Sequence, residues 1–148
     1  MIKAAFFDID WTLYDHNSNK FISSSLLSIK RLQEQGIKVF VCSARNTKSL
    51  YEFGVFSLGI NWDGFISSAG AFACLNNKVV TRKLLMKKED VCNLVSFVLK
   101  RNLTMQIVTP WDRFLINKPD EYYSLYQEVF HDECKEIHQY KDEEVLGT

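Results

Sequence analysis

Two short apolar runs set the pattern at the start of the chain. Ile2 to Phe7 is apolar apart from Lys3, and Ile37-Lys38-Val39-Phe40-Val41-Cys42 has the same texture, each run bounded by polar residues. Runs this short and this continuous suit strands buried on both faces of a parallel sheet. Between them, Ser23 to Ser25 offer N-cap hydroxyls, Leu26, Ile29 and Leu32 fall at near-helical spacing, and Gly36 supplies a stop. The pattern predicts a strand, helix, strand unit of crossover length, right-handed by default. A second helix is expected after Asn46, through Leu50, Tyr51 and Phe53 to the Gly54 to Gly59 region, and a third strand at Phe65-Ile66-Ser67. The first 70 residues read as the beginning of a doubly wound, Rossmann-like α/β domain.

After Gly70 the texture changes. Ala71 to Leu75 and Lys78 to Lys83 flank Asn76-Asn77 and predict a hairpin, so antiparallel structure begins here. Glu89 and Asp90 stand in the first turn of a helix whose Val91, Leu94, Val95, Val98 and Leu99 follow the i, i+3, i+4, i+7, i+8 rule. Met105 to Val108 and Phe114 to Ile116, separated by Pro110-Trp111-Asp112, predict another hairpin, and Pro119 opens a helix carrying Tyr122, Leu125, Tyr126 and Val129. The expectation is an α/β domain over residues 1–70 and an α+β region over residues 71–148.

With 47% apolar and 24% charged residues, the chain can fill a core and is not a disordered tail. Eighteen basic residues balance eighteen acidic ones, and no Lys/Arg stripe is dense enough to track a phosphate backbone, which argues against nucleic acid. Cys42, Cys74, Cys92 and Cys134 form no C-x-x-C pair and read as reduced, mostly buried thiols. The run Ala4-Ala5-Phe6-Phe7 is too brief for a signal segment, and no 18-residue apolar stretch occurs, so the expectation is a cytoplasmic protein without a membrane partner.

Chemistry concentrates where the first strand ends. In Phe6-Phe7-Asp8-Ile9-Asp10-Trp11-Thr12-Leu13, two carboxylates two residues apart fall at the C-terminal edge of a parallel strand, where α/β folds bind ligands. A bare D-x-D more often just begins a turn. Here Thr12-Leu13 follows it, and the second strand ends in Cys42-Ser43-Ala44-Arg45. This combination resembles the haloacid dehalogenase (HAD) superfamily of phosphatases and phosphotransferases. The first motif of that superfamily matches Asp8, Asp10, Thr12 and Leu13, and its second matches Ser43. Arg45, Gly70 and Ala71 extend the likeness toward the Cof-like subgroup, which carries a large cap inserted after the third strand. Ala44 and Ala69 depart from that subgroup's usual Gly and Asn, and Trp11 stands where it most often has Gly, a replacement read as tolerated.

The resemblance implies an Mg²⁺-dependent hydrolase of small phosphorylated metabolites, sugar or nucleotide-like phosphates, acting through an aspartyl phosphate. Asp8 would be the nucleophile and a metal ligand. Asp10 would serve as acid and then base, and would bind the metal through its backbone carbonyl. Ser43 and Ala44 would hold phosphoryl oxygens, with Thr12 and Arg45 in support.

The family also uses a Lys and an acidic pair, usually beside a Gly, that normally follow the cap. Gly147 is the only glycine after Gly70, so no Gly-Asp motif occurs there. Lys118, Asp120, Asp132-Glu133 and Asp142-Glu143-Glu144 read instead as solvated surface charge. The expectation is therefore a chain ending within the cap, weak in Mg²⁺ binding and turnover, and prone to self-association through exposed sheet edges. The alternative is a truncated or degenerate, non-catalytic remnant that still binds phosphate. A receiver-type phosphoacceptor ranks below both, since it needs acidic residues split between two strands. Trp111, Arg113, His16, His131 and His138 are read as packing or surface residues.

Overall fold

The computed structural model describes residues 2–76, 79–117, 124 and 135–137. Its contacts divide the chain into two compact units, Met1–Leu84 and Leu85–Thr148. In chain order the first contains β1 (Ala4–Phe7), β2 (Tyr14–Asp15), β3 (Lys20–Phe21), α1 (Ser23–Glu34), β4 (Lys38–Cys42), α2 (Thr47–Glu52), β5 (Gly64–Ser67), β6 (Phe72–Leu75) and β7 (Val79–Lys83).

The two apolar runs become β1 and β4, which pair in parallel with Ala4 opposite Lys38 and Phe7 opposite Val41. β5 adds in parallel, with Cys42 opposite Ile66, and the strand order is β1-β4-β5-β6-β7. The hairpin β6–β7 is antiparallel and continues this same sheet, so the contacts divide after Leu84 rather than near residue 70. Gly64 permits that continuation. A Cβ at this position would lie 2.3 Å from the Cys74 carbonyl oxygen, so only glycine lets β6 close onto β5.

Helix α1 buries Ile29, with Leu26 and Leu32 packed on the same core. Its cap is not the expected serine. Ile22 occupies the N-cap without a side-chain hydrogen bond, and Ser23 is already helical. The exit does follow expectation, with Gly36 at φ +76° behind the last turn. Helix α2 is shorter than its pattern suggests, because Gly54 takes φ +77° and a 3₁₀ turn, Val55–Ser57, follows.

The alternation along β4 shows where the core sits. Val39 and Val41 are fully buried with Ile9, Leu13 and Leu50, while Lys38 and Cys42 are exposed. On that outer face Phe6 is 57% exposed and stacks on Phe40 at 4.9 Å. Among the described residues, burial on both faces, expected from the continuous apolar runs, therefore holds for only one.

The second unit contains α3 (Lys88–Lys100), β8 (Met105–Val108), β9 (Arg113–Ile116) and β10 (Lys135–Ile137), with a sheet order of β10-β9-β8. Glu89 and Asp90 occupy the first turn of α3 as expected. The apolar stripe is narrower than its spacing implies: Val91, Val95 and Val98 are buried, while Leu94 and Leu99 are exposed. Val91 and Val95 pack with Phe114 and Ile116. β8 and β9 form the expected antiparallel hairpin, and β10 joins β9 in parallel. The helix expected from Pro119 and the acidic runs beyond it lie largely outside the described residues. Among the described residues no helix is long and apolar enough to cross a membrane. Cys74 is buried and Cys92 half-buried, while Cys42 is exposed rather than buried; Cys134 lies outside the described residues.

Candidate functional site

Because β1, β4 and β5 run in parallel and end nearly level, their C-terminal loops leave the same sheet edge. The loops carry Asp8 to Leu13, Ser43 to Asn46 and Ser68 to Ala71. The three segments singled out by their motifs are thus gathered at the place where parallel sheets bind ligands.

Asp8 directly follows β1 and is exposed; one of its carboxylate oxygens accepts the Ile9 N–H at 2.8 Å. The next turn is tight: the N–H groups of Thr12, Leu13 and Tyr14 all donate to the Ile9 carbonyl, and Trp11 N–H donates to Tyr14 O. This winding needs a left-handed residue, and Trp11 provides it at φ 61°. Thr12 is exposed, while Leu13 anchors the turn in the core.

Asp10 is not directed to solvent alone. The Arg45 guanidinium grips it as a fork, Nε to Oδ2 at 2.9 Å and Nη2 to Oδ1 at 2.8 Å. His16 Nε2 reaches Asp10 Oδ1 at 2.8 Å. Burial by itself would raise the Asp10 carboxyl, but the Arg45 hydrogen bonds and charge, followed by His16, outweigh it and hold the group below the usual carboxylate range.

Arg45 is itself locked. Its Nη1 donates to Ser49 Oγ at 3.1 Å, its guanidinium lies 4.0 Å above the Phe53 ring, and the residue is 9% exposed. Ser49 is four residues on, in α2, whose entry is fixed by Asn46 Oδ1 accepting the Ser49 N–H at 2.9 Å. Thr47 and Ser67, both fully buried, share a hydroxyl hydrogen bond at 2.9 Å that ties the start of α2 to the end of β5.

Ser43 sits at the end of β4 and is 6% exposed. Its N–H donates to Ile66 O, and its Oγ accepts the Arg45 N–H at 3.2 Å. With the oxygen used as acceptor, the hydroxyl proton is available to an anion. Ala44 is exposed beside it.

Each residue named from sequence therefore lies on this edge: Asp8, Asp10 and Thr12 on one loop, and Ser43, Ala44 and Arg45 on the next. Sequence reasoning missed His16, Ser49, Phe53 and the Thr47–Ser67 pair. The i, i+4 spacing of Arg45 and Ser49 was a usable signal. None pointed to His16, which reaches Asp10 through the two-residue strands β2 and β3.

The family model for haloacid dehalogenase-like hydrolases matches residues 5–146. The Bacillus subtilis (strain 168) protein YkrA, provisionally named a phosphatase, is 38% identical over 86 residues, covering 56% of this chain and 31% of YkrA. Among solved structures, BT1666 from Bacteroides thetaiotaomicron superimposes with a TM-score of 0.78 at 21% identity, over 99% of this chain and 52% of that one. The HAD subclass IIB sugar phosphatase BT4131 gives 0.75 at 22% identity, over 99% and 55%. At such identities these structures establish the shared fold. The chain spans about half the length of these structures and under a third of YkrA. With a family match over nearly its whole length and the motif residues on one sheet edge, the chain belongs to the haloacid dehalogenase-like hydrolases.

Proposed function

We propose that this sheet edge is a phosphomonoesterase site, hydrolysing small phosphorylated metabolites of the sugar or nucleotide type through an aspartyl phosphate. The observation that carries the reading is the contrast between the two aspartates: Asp8 is exposed at the strand end, while Asp10 is clamped by Arg45 and His16. A nucleophile must be open to the phosphorus, whereas an acid–base group must be held in place.

In this reading an Asp8 oxygen attacks phosphorus, the ester P–O bond breaks, and the leaving oxygen takes a proton from Asp10. Water then attacks the acyl phosphate and gives its proton to Asp10. The bond between phosphorus and Asp8 breaks, releasing inorganic phosphate. Asp10 rests ionised against Arg45, so the proton it gives the leaving oxygen is one it first takes from a monoanionic phosphomonoester as substrate displaces part of that fork. The Ser43 hydroxyl and the backbone at Ala44 hold phosphoryl oxygens, Thr12 braces the turn, and Arg45 positions Asp10.

The donors available suit Mg²⁺, which takes hard oxygens and keeps several waters. Asp8 offers a carboxylate. The resemblance to the family implies the Asp10 backbone carbonyl as a second ligand, and that agrees with both Asp10 side-chain oxygens being engaged elsewhere. Among the described residues no cluster of three His, Cys, Asp or Glu completes a shell. When bound, Mg²⁺ supplies the positive charge that offsets repulsion between carboxylate and phosphate. In the same reading the second unit corresponds to the family's cap, the protein works in the cytoplasm, and copies associate through exposed sheet edges.

The test is hydrolysis of an aryl phosphate with and without Mg²⁺, alongside Asp8→Asn. Metal-dependent turnover that falls on the order of 10³-fold in the variant is the expected result. Turnover unchanged by the substitution would sink the assignment. No turnover in either protein would favour the non-catalytic, phosphate-binding alternative.

A further inference from the structure

Trp11 combines two features that work against stability, and neither is explained by packing. Its backbone holds φ 61°, a left-handed conformation in which a bulky side chain is strained and glycine is at ease. The residue is 65% exposed. A glycine here would remove the strain and the exposed ring together, yet the chain carries its largest side chain between Asp10 and Thr12. Strain retained beside a reactive carboxylate points toward use rather than accident.

The indole is also well supported. Its ring lies 4.9 Å from His16, His16 lies 5.0 Å from Tyr14, and Tyr14 lies 4.5 Å from Phe53, which carries the Arg45 guanidinium. Arg45 and His16 both return to Asp10. Trp11 is the exposed end of this closed ladder, so its position is coupled to the carboxylate that faces the leaving group. A rigid aromatic surface with one supported side and one open side is suited to stack a ring.

We infer that Trp11 is a specificity residue, a platform for phosphomonoesters whose leaving group carries a ring with a flat apolar face. The inference rests on the phosphate-site reading above and deepens it by naming the substrate class. In that reading the leaving oxygen meets Asp10, the residue directly before Trp11, which brings the leaving group to the turn that Trp11 crowns.

Binding of phenylphosphonate and methylphosphonate, with hexose 6-phosphate as a second ring-bearing ligand, tests this without requiring turnover. The Trp11 indole N–H resonance, identified by its loss in Trp11→Gly, is followed by NMR, and affinities are measured for the wild type, Trp11→Gly and Trp11→Asn. Both variants suit a left-handed position, so folding is retained. The expected result is a Trp11 shift with ring-bearing ligands only, and a 3- to 10-fold loss of preference for phenylphosphonate over methylphosphonate in both variants, about the size of one stacked ring. An added preference for hexose phosphate lost in the same variants assigns the platform to sugars, and loss confined to phenylphosphonate assigns it to planar bases; either supports the proposal. Binding of both phosphonates with equal losses, or with none, overturns it while leaving the phosphate site standing. Failure of any phosphonate to bind overturns both.

Discussion

Asp10 has both carboxylate oxygens engaged, and the groups that hold it can be separated by substitution. Arg45→Ala removes the fork, the Ser49 contact and the cation over Phe53 together. The loss should be about 1–3 kcal/mol in urea unfolding, below the value for a fully buried pair because the Asp10 side chain is 33% exposed. Arg45→Lys should recover little, since an ammonium cannot reproduce a two-pronged contact. The pH dependence has a definite sign. The Asp10 carboxyl is lowered in the folded state, so its contribution is complete above the unfolded value near 3.8 and is lost as pH falls through the folded value. The stability gap between wild type and Asp10→Asn should therefore close as pH falls below about 4; a gap that stayed fully open under those acid conditions would contradict the ion pair. Asp8, Asp10, Ser43 and Arg45 were legible because strand ends with chemistry-bearing residues stand out against apolar runs. His16 was not, because two-residue strands leave no periodic trace.

Among the elements, short-range signals proved uneven guides. The helix expected after Asn46 does begin there, with the Asn46 side chain as its cap, and Asn46→Ala should cost about 1 kcal/mol, read as a lowered melting temperature. The serines before α1 looked equally suitable, yet the chain enters that helix one residue earlier, at Ile22. Gly64 had no visible role in the sequence, because its role depends on a strand that pairs across it. Gly64→Ala drives a Cβ into the Cys74 carbonyl and should destabilise by about 1–3 kcal/mol or more, while Gly36→Ala, with nothing within 4 Å, should cost only backbone strain. Equal losses at the two glycines would refute the close-approach argument.

At the scale of the molecule, the apolar runs of β1 and β4 announced a parallel sheet but not how its faces are covered. Continuous apolarity predicts two covered faces, whereas among the described residues only the face carrying Val39 and Val41 lies against α1 and the core. The other leaves Phe6 exposed where it stacks on Phe40, in a strand of four uncharged residues, Ala4–Phe7. Parallel sheets rarely stay uncovered, so the protein should self-associate with rising concentration, and Phe6→Glu should shift sedimentation toward monomer. Sedimentation unaffected by Phe6→Glu would place the association elsewhere.

The same register sets an order of assembly. Cys74 pairs with Val80 and Gly64 with Leu75, but Ala4 must wait for Lys38. Pairings between distant residues form late and, at a sheet edge, open first. Backbone amides of Ala4–Phe7 should exchange with deuterium faster than those of β4 and β5. The strand that presents Asp8 would then be the last to dock and the first to leave, making the placement of Asp8 a direct report on whether folding has finished.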